Sequence, residues 1–553
     1  MLPLAAALLV SAPPDPDKLL VVNARVWTGD PARPEAQAVY LVGGRVAAVG
    51  TRDEVARQVA PGHEPRVLDA GGRRVLPGFH DSHVHFLGGG LQLARVELKD
   101  AADEAEFGRR LREFDGKLPR DRWIVGGNWD HDRTFAGTLP TASLLDKYVP
   151  ARPVFIRRYD GHMAVCNSAA LRLAGVTPDT QEVPGGVVYR LADGKTPSGV
   201  LKDNAMGLVD KLVPEPDDGE IAEAVRAALM LAASVGVTSV EDMEGSNPAT
   251  RRKYLRVLQR LAAAGELSCR VSVRWPLAEH RELAAAGLES NFGGPWVRVG
   301  GVKGFMDGSL GSSTAKMFEP FLNENTTGVF VTEPDAMRQL VRGADAAGLS
   351  VAVHAIGDRA NRDLLDVFAD VAKQNGPRDR RFRVEHAQHL RPDEYGRFKP
   401  GGVVASMQPF HVADDGRWAV GRIGADRCRA SYAFRGLLDA GATLAFGSDW
   451  PVAPLDPLPG IDAAVTRRTL DGKDPAGWFP EQAITAEEAV RAFTAGSAFA
   501  AHQDGERGTV GVNKFADLVV LDRDILDPQE RGNIGKAKVV LTVAGGKVAF
   551  ERK

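Results

Sequence analysis

Short apolar runs rich in β-branched residues alternate with polar punctuation along this chain, and the period of the pattern differs between its ends and its middle. At the start, LLVVNARVWTG, AVYLVGGRVAAVGT and RVLDAGGRRVLPGF alternate with a period of two around Gly-Gly turns, the signature of antiparallel strands. The far end repeats this texture in Ala516–Asp522 and in VVLTVAGGKVAFERK. The two ends, residues 18–76 and 508–553, are expected to complete one sheet domain together, two separate end modules being the alternative. Between them, apolar runs alternate with helical stretches such as Glu220–Ser234 and Ala336–Ala347, as parallel β/α units do. Eight runs read as strands: Leu76–Phe86, Val237–Met243, Cys269–Trp275, Val297–Met306, Leu349–Ala355, Arg381–Ala387, Val403–Gln408 and Thr443–Asp449. Eight is the number that closes a barrel. The interval at about residues 91–219 is too long for one crossover and should hold an inserted α+β subdomain, within a barrel domain of residues 77–507.

Composition narrows the possibilities. The chain has 553 residues, 44% hydrophobic and 25% charged, as globular proteins have, which excludes collagen, coiled coil and disorder. With 69 Lys+Arg against 72 Asp+Glu, no basic field exists to attract nucleic acid. Cys166, Cys269 and Cys428 lie far apart without a CxxC pair, which disfavours disulfides and thiolate metal sites. Any metal must therefore rest on histidines and carboxylates. Residues 1–17 form a candidate leader: MLPLAAALLVSA is apolar and ends in small residues, but is too short to span a bilayer. Both an exported and a cytoplasmic protein are compatible with it, and no other segment resembles a membrane span.

The sharpest chemical signal is LPGFHDSHVHF, in which His83 and His85 are two residues apart. On a strand such residues face the same side, so both imidazoles can reach one cation. His354 ends the run SVAVH and His386 the run FRVEH. Either alone reads as a buried structural histidine; together with the HxH they suggest a cluster. Asp449, in GSDWP, falls at the barrel rim after the eighth strand, where charged residues are usually functional. Lys303 is in phase with Val297, Val299 and Phe305, and an interior lysine is costly unless paired or chemically altered.

The ordered set PGFHDSHVH, VKGFMDGSLGS, VHAIGDRA, VEHAQ, SMQP and GSDWP resembles the metal-dependent amidohydrolase superfamily. Within it, the chain is similar to the amidohydrolase 3 group that includes N-substituted formamide deformylases; the RYDGHMAVCNSAAL segment and ITAEEA carry further likeness. The resemblance implies an α/β fold, a distorted (β/α)8 TIM-like barrel with a β-sandwich built from both chain ends. It implies two divalent cations, zinc by ligand chemistry, with His83 and His85 on the more buried one and His354 and His386 on the other. Lys303 would be a CO2-derived carbamate bridging them, and Asp449 a ligand and the general base and acid. The implied reaction is hydrolysis of a C–N bond in a small amide. A metal-dependent deaminase, isomerase or lyase is the alternative, since one barrel supports many reactions, and a catalytically silent binding protein is a third class.

Other residues carry weaker expectations. Asp160 and His162 project from the insertion as substrate contacts, and Trp129, Phe410 and Trp450 are candidates for an apolar pocket. Asp358 reads as the N-cap of the helix after His354. His389 and His411 lie beyond strand ends and receive no ligand role, and His80 has the opposite strand parity to His83 and His85. The expected partner is a small-molecule amide, with neither nucleic acid nor stable membrane insertion, and homo-oligomerisation stays open.

Overall fold

The computed structural model describes residues 15–59, 64–158, 163–183, 186–245, 247–311, 313–322 and 325–552. The candidate leader before residue 15 lies outside the described residues. The chain falls into two compact units: one from the described parts of residues 1–86, 229–246 and 259–553, the other from those of 87–228 and 247–258.

The first unit contains eight parallel strands: β1 (Phe79–Val84), β2 (Val237–Asp242), β3 (Arg270–Pro276), β4 (Val297–Phe305), β5 (Val351–Ala355), β6 (Arg383–His386), β7 (Val404–Met407) and β8 (Thr443–Phe446). They pair in sequence order, and every one lies within or beside a run read as a strand. Their near-continuous burial explains why: strands covered on both faces carry uninterrupted apolar runs. β8 and β1 are joined past their ends, where Asp449 N–H donates to the His83 carbonyl at 2.7 Å and His85 N–H to the Trp450 carbonyl at 2.8 Å. The barrel is thereby nearly closed.

This unit has two further sheets, of which one interleaves the chain ends. The other has four strands from residues 15–69. In the interleaved sheet, Arg74–Pro77 pairs antiparallel with Leu518–Leu521 and parallel with Arg25–Trp27. Val75 thus sits between Val26 and Val520, all three at most 3% exposed. Burying one such side chain contributes about 1.5–3 kcal/mol, so the C-terminal strand is part of the core begun at the N-terminus.

The second unit is built on a six-stranded mixed sheet in the order 186–190, 197–203, 163–166, 154–158, 124–129, 96–97. Its core includes Phe107, Leu111, Ile124, Leu145 and Val154. Among the described residues, no helix is long and apolar enough to cross a membrane.

The helix after His354, α1 (Asp358–Asn375), corrects one expectation. Its N-cap is Gly357, without a side-chain cap bond. Asp358 is the first helical residue, and its Oδ1 accepts the Phe318 N–H at 2.9 Å. The Gly357 amide is taken instead by Asp307 Oδ2 at 2.8 Å, one carboxylate serving the whole β4–β5 rim.

Candidate active site

Six side chains from five strands converge at the carboxyl ends of the barrel. The Nε2 atoms of His83 and His85 lie 3.5 and 3.4 Å from Asp449 Oδ1. Lys303 Nζ lies 3.4 Å from His83 Nε2. The His386 ring is 4.9 Å from that of His83 and 4.5 Å from that of His354, centroid to centroid. Ligand atoms of His83, His386 and Asp449 all fall within 4.8 Å of one another. Asp449 Oδ1 and His386 Nδ1 are buried without a hydrogen-bond partner. Such atoms carry a desolvation cost of about 1–3 kcal/mol each unless something else satisfies them, and a cation would do so.

The electrostatics suit cation binding. Burial, then the Lys303 charge, pushes His83 down to about 4 and His354 down to about 3. Burial, then His354, holds His386 well below its ordinary value. All three imidazoles are therefore neutral near pH 7, the form that ligates metals. Burial alone would raise Asp449, but His83, His85 and His386 outweigh it and keep the carboxyl ionised. Burial lowers Lys303 to about 8, against the opposing pull of Glu385 and Asp449.

Neighbouring groups fix these ligands. His83 Nδ1 meets Glu385 Oε2 at 2.6 Å, which orients the ring and leaves Nε2 towards Asp449. Glu385 in turn accepts from Arg383 Nε at 2.7 Å and Ser406 Oγ at 2.8 Å. Asp81 Oδ1 accepts the amides of His83 and Ser448 at 3.0 and 2.9 Å, joining the two ends of the barrel. Gly447 is required there, because a Cβ would lie 2.5 Å from His83 N. His386 and Asp449 both adopt positive φ, 75° and 60°, conformations that cost non-glycine residues of order 1–3 kcal/mol and cluster at functional sites.

A cavity of about 390 Å³ opens over the cluster, with Phe305, Leu310, Trp418 and Val452 on its apolar side and Gln388 and Asp415 on its polar side.

The chain as a whole has relatives. The Amidohydrolase family model matches residues 66–550. The chain belongs to the amidohydrolase family. It is 37% identical to Protein LONG AFTER FAR-RED 3 of Arabidopsis thaliana, over 96% of this chain and 91% of that one. It is 28% identical to an N-substituted formamide deformylase of Arthrobacter pascens, over 97% and 98% of the two chains. Among solved structures, an uncharacterized metal-dependent hydrolase from Pyrococcus horikoshii matches with TM-score 0.77 and 29% identity, covering 93% of this chain and 99% of that one.

In this amidohydrolase, His83, His85, Lys303, His354, His386 and Asp449 are brought together. The aromatic candidates are placed elsewhere. Trp129 is fully buried in the core of the second unit, its indole N–H donating to the Ile156 carbonyl at 2.9 Å. Trp450 is 6% exposed and packs edge-on against Phe86. Neither lines the cavity, and Phe410 does not either; Trp418 takes that place. Asp160 and His162 lie outside the described residues. His80 is buried, with Nε2 3.8 Å from Glu241 Oε1. Sequence reasoning passed over Asp81, Glu385 and Asp415, and gave His411 no ligand role. Glu385 had one available signal, a carboxylate directly before His386 in a short run that also carries Arg383.

Proposed function

We propose that this amidohydrolase is a metal-dependent hydrolase of small amides, N-substituted formamides or close relatives, acting on the C–N bond. The observation that supports it is the convergence of four imidazoles, Lys303 and Asp449 around buried, unpaired ligand atoms. The donor set fits divalent cations, and its nitrogen and oxygen chemistry favours zinc. His83, His85, His354, His386 and Asp449 would hold two ions, with Lys303 between them as a carbamate. Lowering of Lys303 to about 8 supports that modification, because the free amine is the form that adds CO2. Bound metal supplies a water acidic enough to ionise near neutral pH and an electrophile for the substrate carbonyl.

The chain's own residues do the rest. Asp449 is ionised and next to the ligand atoms, placed to take a proton at Oδ and return it to the departing amine nitrogen. Glu385 holds His83 in one tautomer. Phe305, Leu310 and Trp418 give the nitrogen substituent an apolar wall that excludes water. Zinc-loaded protein should release primary amine from N-substituted formamides in a panel of amides. Failure on every amide, with turnover of a cyclic amidine or aminopurine instead, would replace this reading with deamination.

A further inference from the structure

One side chain of the cavity has no part in the ligand set. His411 stands on α2 (Phe410–Asp415), the helix after β7. Its ring lies parallel to His386 at 6.5 Å and 11°. Its Nε2 is buried and lacks any hydrogen-bond partner. Asp449 Oδ2 is 4.0 Å away, too far to be an acceptor. That is farther than the Nε2 atoms of His83 and His85, which lie 3.5 and 3.4 Å from Asp449. Asp415 stands four residues on along the same helix and lines the same cavity. Its carboxylate is anchored through one oxygen by Tyr432 Oη at 2.6 Å and Gln388 Nε2 at 2.9 Å. His411 therefore lines the cavity beside His386 and Asp449, with its Nε2 unsatisfied.

Building on the amide-hydrolysis reading, we propose that His411 is a substrate-contacting catalytic residue, whose Nε2–H donates a hydrogen bond to the amide oxygen as negative charge grows on it. A neutral imidazole has one N–H to give. A fixed donor with no internal acceptor needs no reorganisation when that charge appears, and removing such a donor typically costs about 10²–10³ in kcat. No proton is transferred by His411 in this role.

The test uses the full chain loaded with zinc. His411→Phe keeps the ring and its stacking but has no donor; His411→Asn keeps polarity, but its amide stops short of the Nε2 position. Both should lose about 10²–10³ in kcat on the best formamide while zinc content by elemental analysis stays at the parent level. His411→Gln, whose amide nitrogen reaches towards Nε2, should recover part of the loss. Methylphosphonate, with charged oxygens where the substrate's would form, should bind the parent about tenfold more tightly than Phe or Asn variants in calorimetry, a difference of about 1.4 kcal/mol. Near-parent turnover in both variants overturns the proposal, as does loss of zinc, which would make His411 a metal ligand. If the parent hydrolyses no amide, the functional reading fails by itself. The methylphosphonate comparison still decides His411, and equal affinities would refute it.

Discussion

Two layers of buried ionisable side chains lie inside the barrel, and they are satisfied in different ways. In the deeper layer, Arg274 pairs with Glu241 at 2.9 Å and Arg383 with Glu385 at 2.7 Å, all four side chains fully buried. Two cations face two anions. At the rim, Asp449 stands beside His83 and His386, which burial keeps neutral, and its Oδ1 has no hydrogen-bond partner. The comparison teaches that charge in the deeper layer is balanced by the chain's own cations and anions, even though Glu241 Oε1, Arg274 Nη2 and Arg383 Nη1 lack hydrogen-bond partners, whereas Asp449 at the rim has no guanidinium of its own opposite it. Glu385 belongs to both layers, bonding Arg383 below and His83 above.

Breaking the deeper layer should have the largest effect. Arg383→Met leaves Glu385 buried without its cation and should destabilise the protein by about 3–5 kcal/mol, read from the midpoint of urea unfolding. A shift no larger than that of a surface substitution would show that the layers are not distinguished in this way.

At the rim, Asp449→Asn should leave the fold intact and reduce turnover by about 10²–10⁴, with only partial loss of metal because an oxygen remains. Unchanged turnover would remove Asp449 as the base. Lys303→Ala should next lose one of two metals and most turnover, and short carboxylic acids should restore part of both by replacing the missing anion. Full metal content in the variant would contradict a bridging lysine.

The last effect, absent at neutral pH and confined to acid, concerns a buried histidine outside the candidate ligand set. Burial, then Arg427, pushes His389 down to about 3 from its ordinary 6.5, and its Nδ1 lies 2.7 Å from Ser431 Oγ. Because the unfolded chain binds that proton and the folded one does not, stability should fall as pH drops from about 6.5 towards about 3. His389→Gln should flatten this limb of a stability-versus-pH curve. An identical limb would assign the acid sensitivity to other groups.

The barrel was legible because doubly covered strands carry their own signature, and the candidate ligands stood out because each lies at or near the end of such a strand. Parity along β1 was a less secure guide, since its pairing with β2 shifts register twice, between Val237 and Ser239 and between Val240 and Asp242. His83 and His85 nevertheless meet at Asp449. Trp129 and Trp450 show where composition misleads: a large aromatic ring near a strand end finds core contacts as readily as a pocket. Glu385 and His83 are 302 positions apart, and no local pattern announces such a pairing. His411 depends on a stack with His386 and an anchored Asp415 that only the folded chain creates.

Elemental analysis of protein purified without chelator, combined with denaturation before and after metal removal, tests the division between the layers most directly. The account predicts two zinc ions per chain, activity lost with them and regained on their return, and a folded apoprotein still held by its deeper layer. A chain that carries no tightly bound metal while fully active, or one that keeps full activity with a single ion, would contradict it.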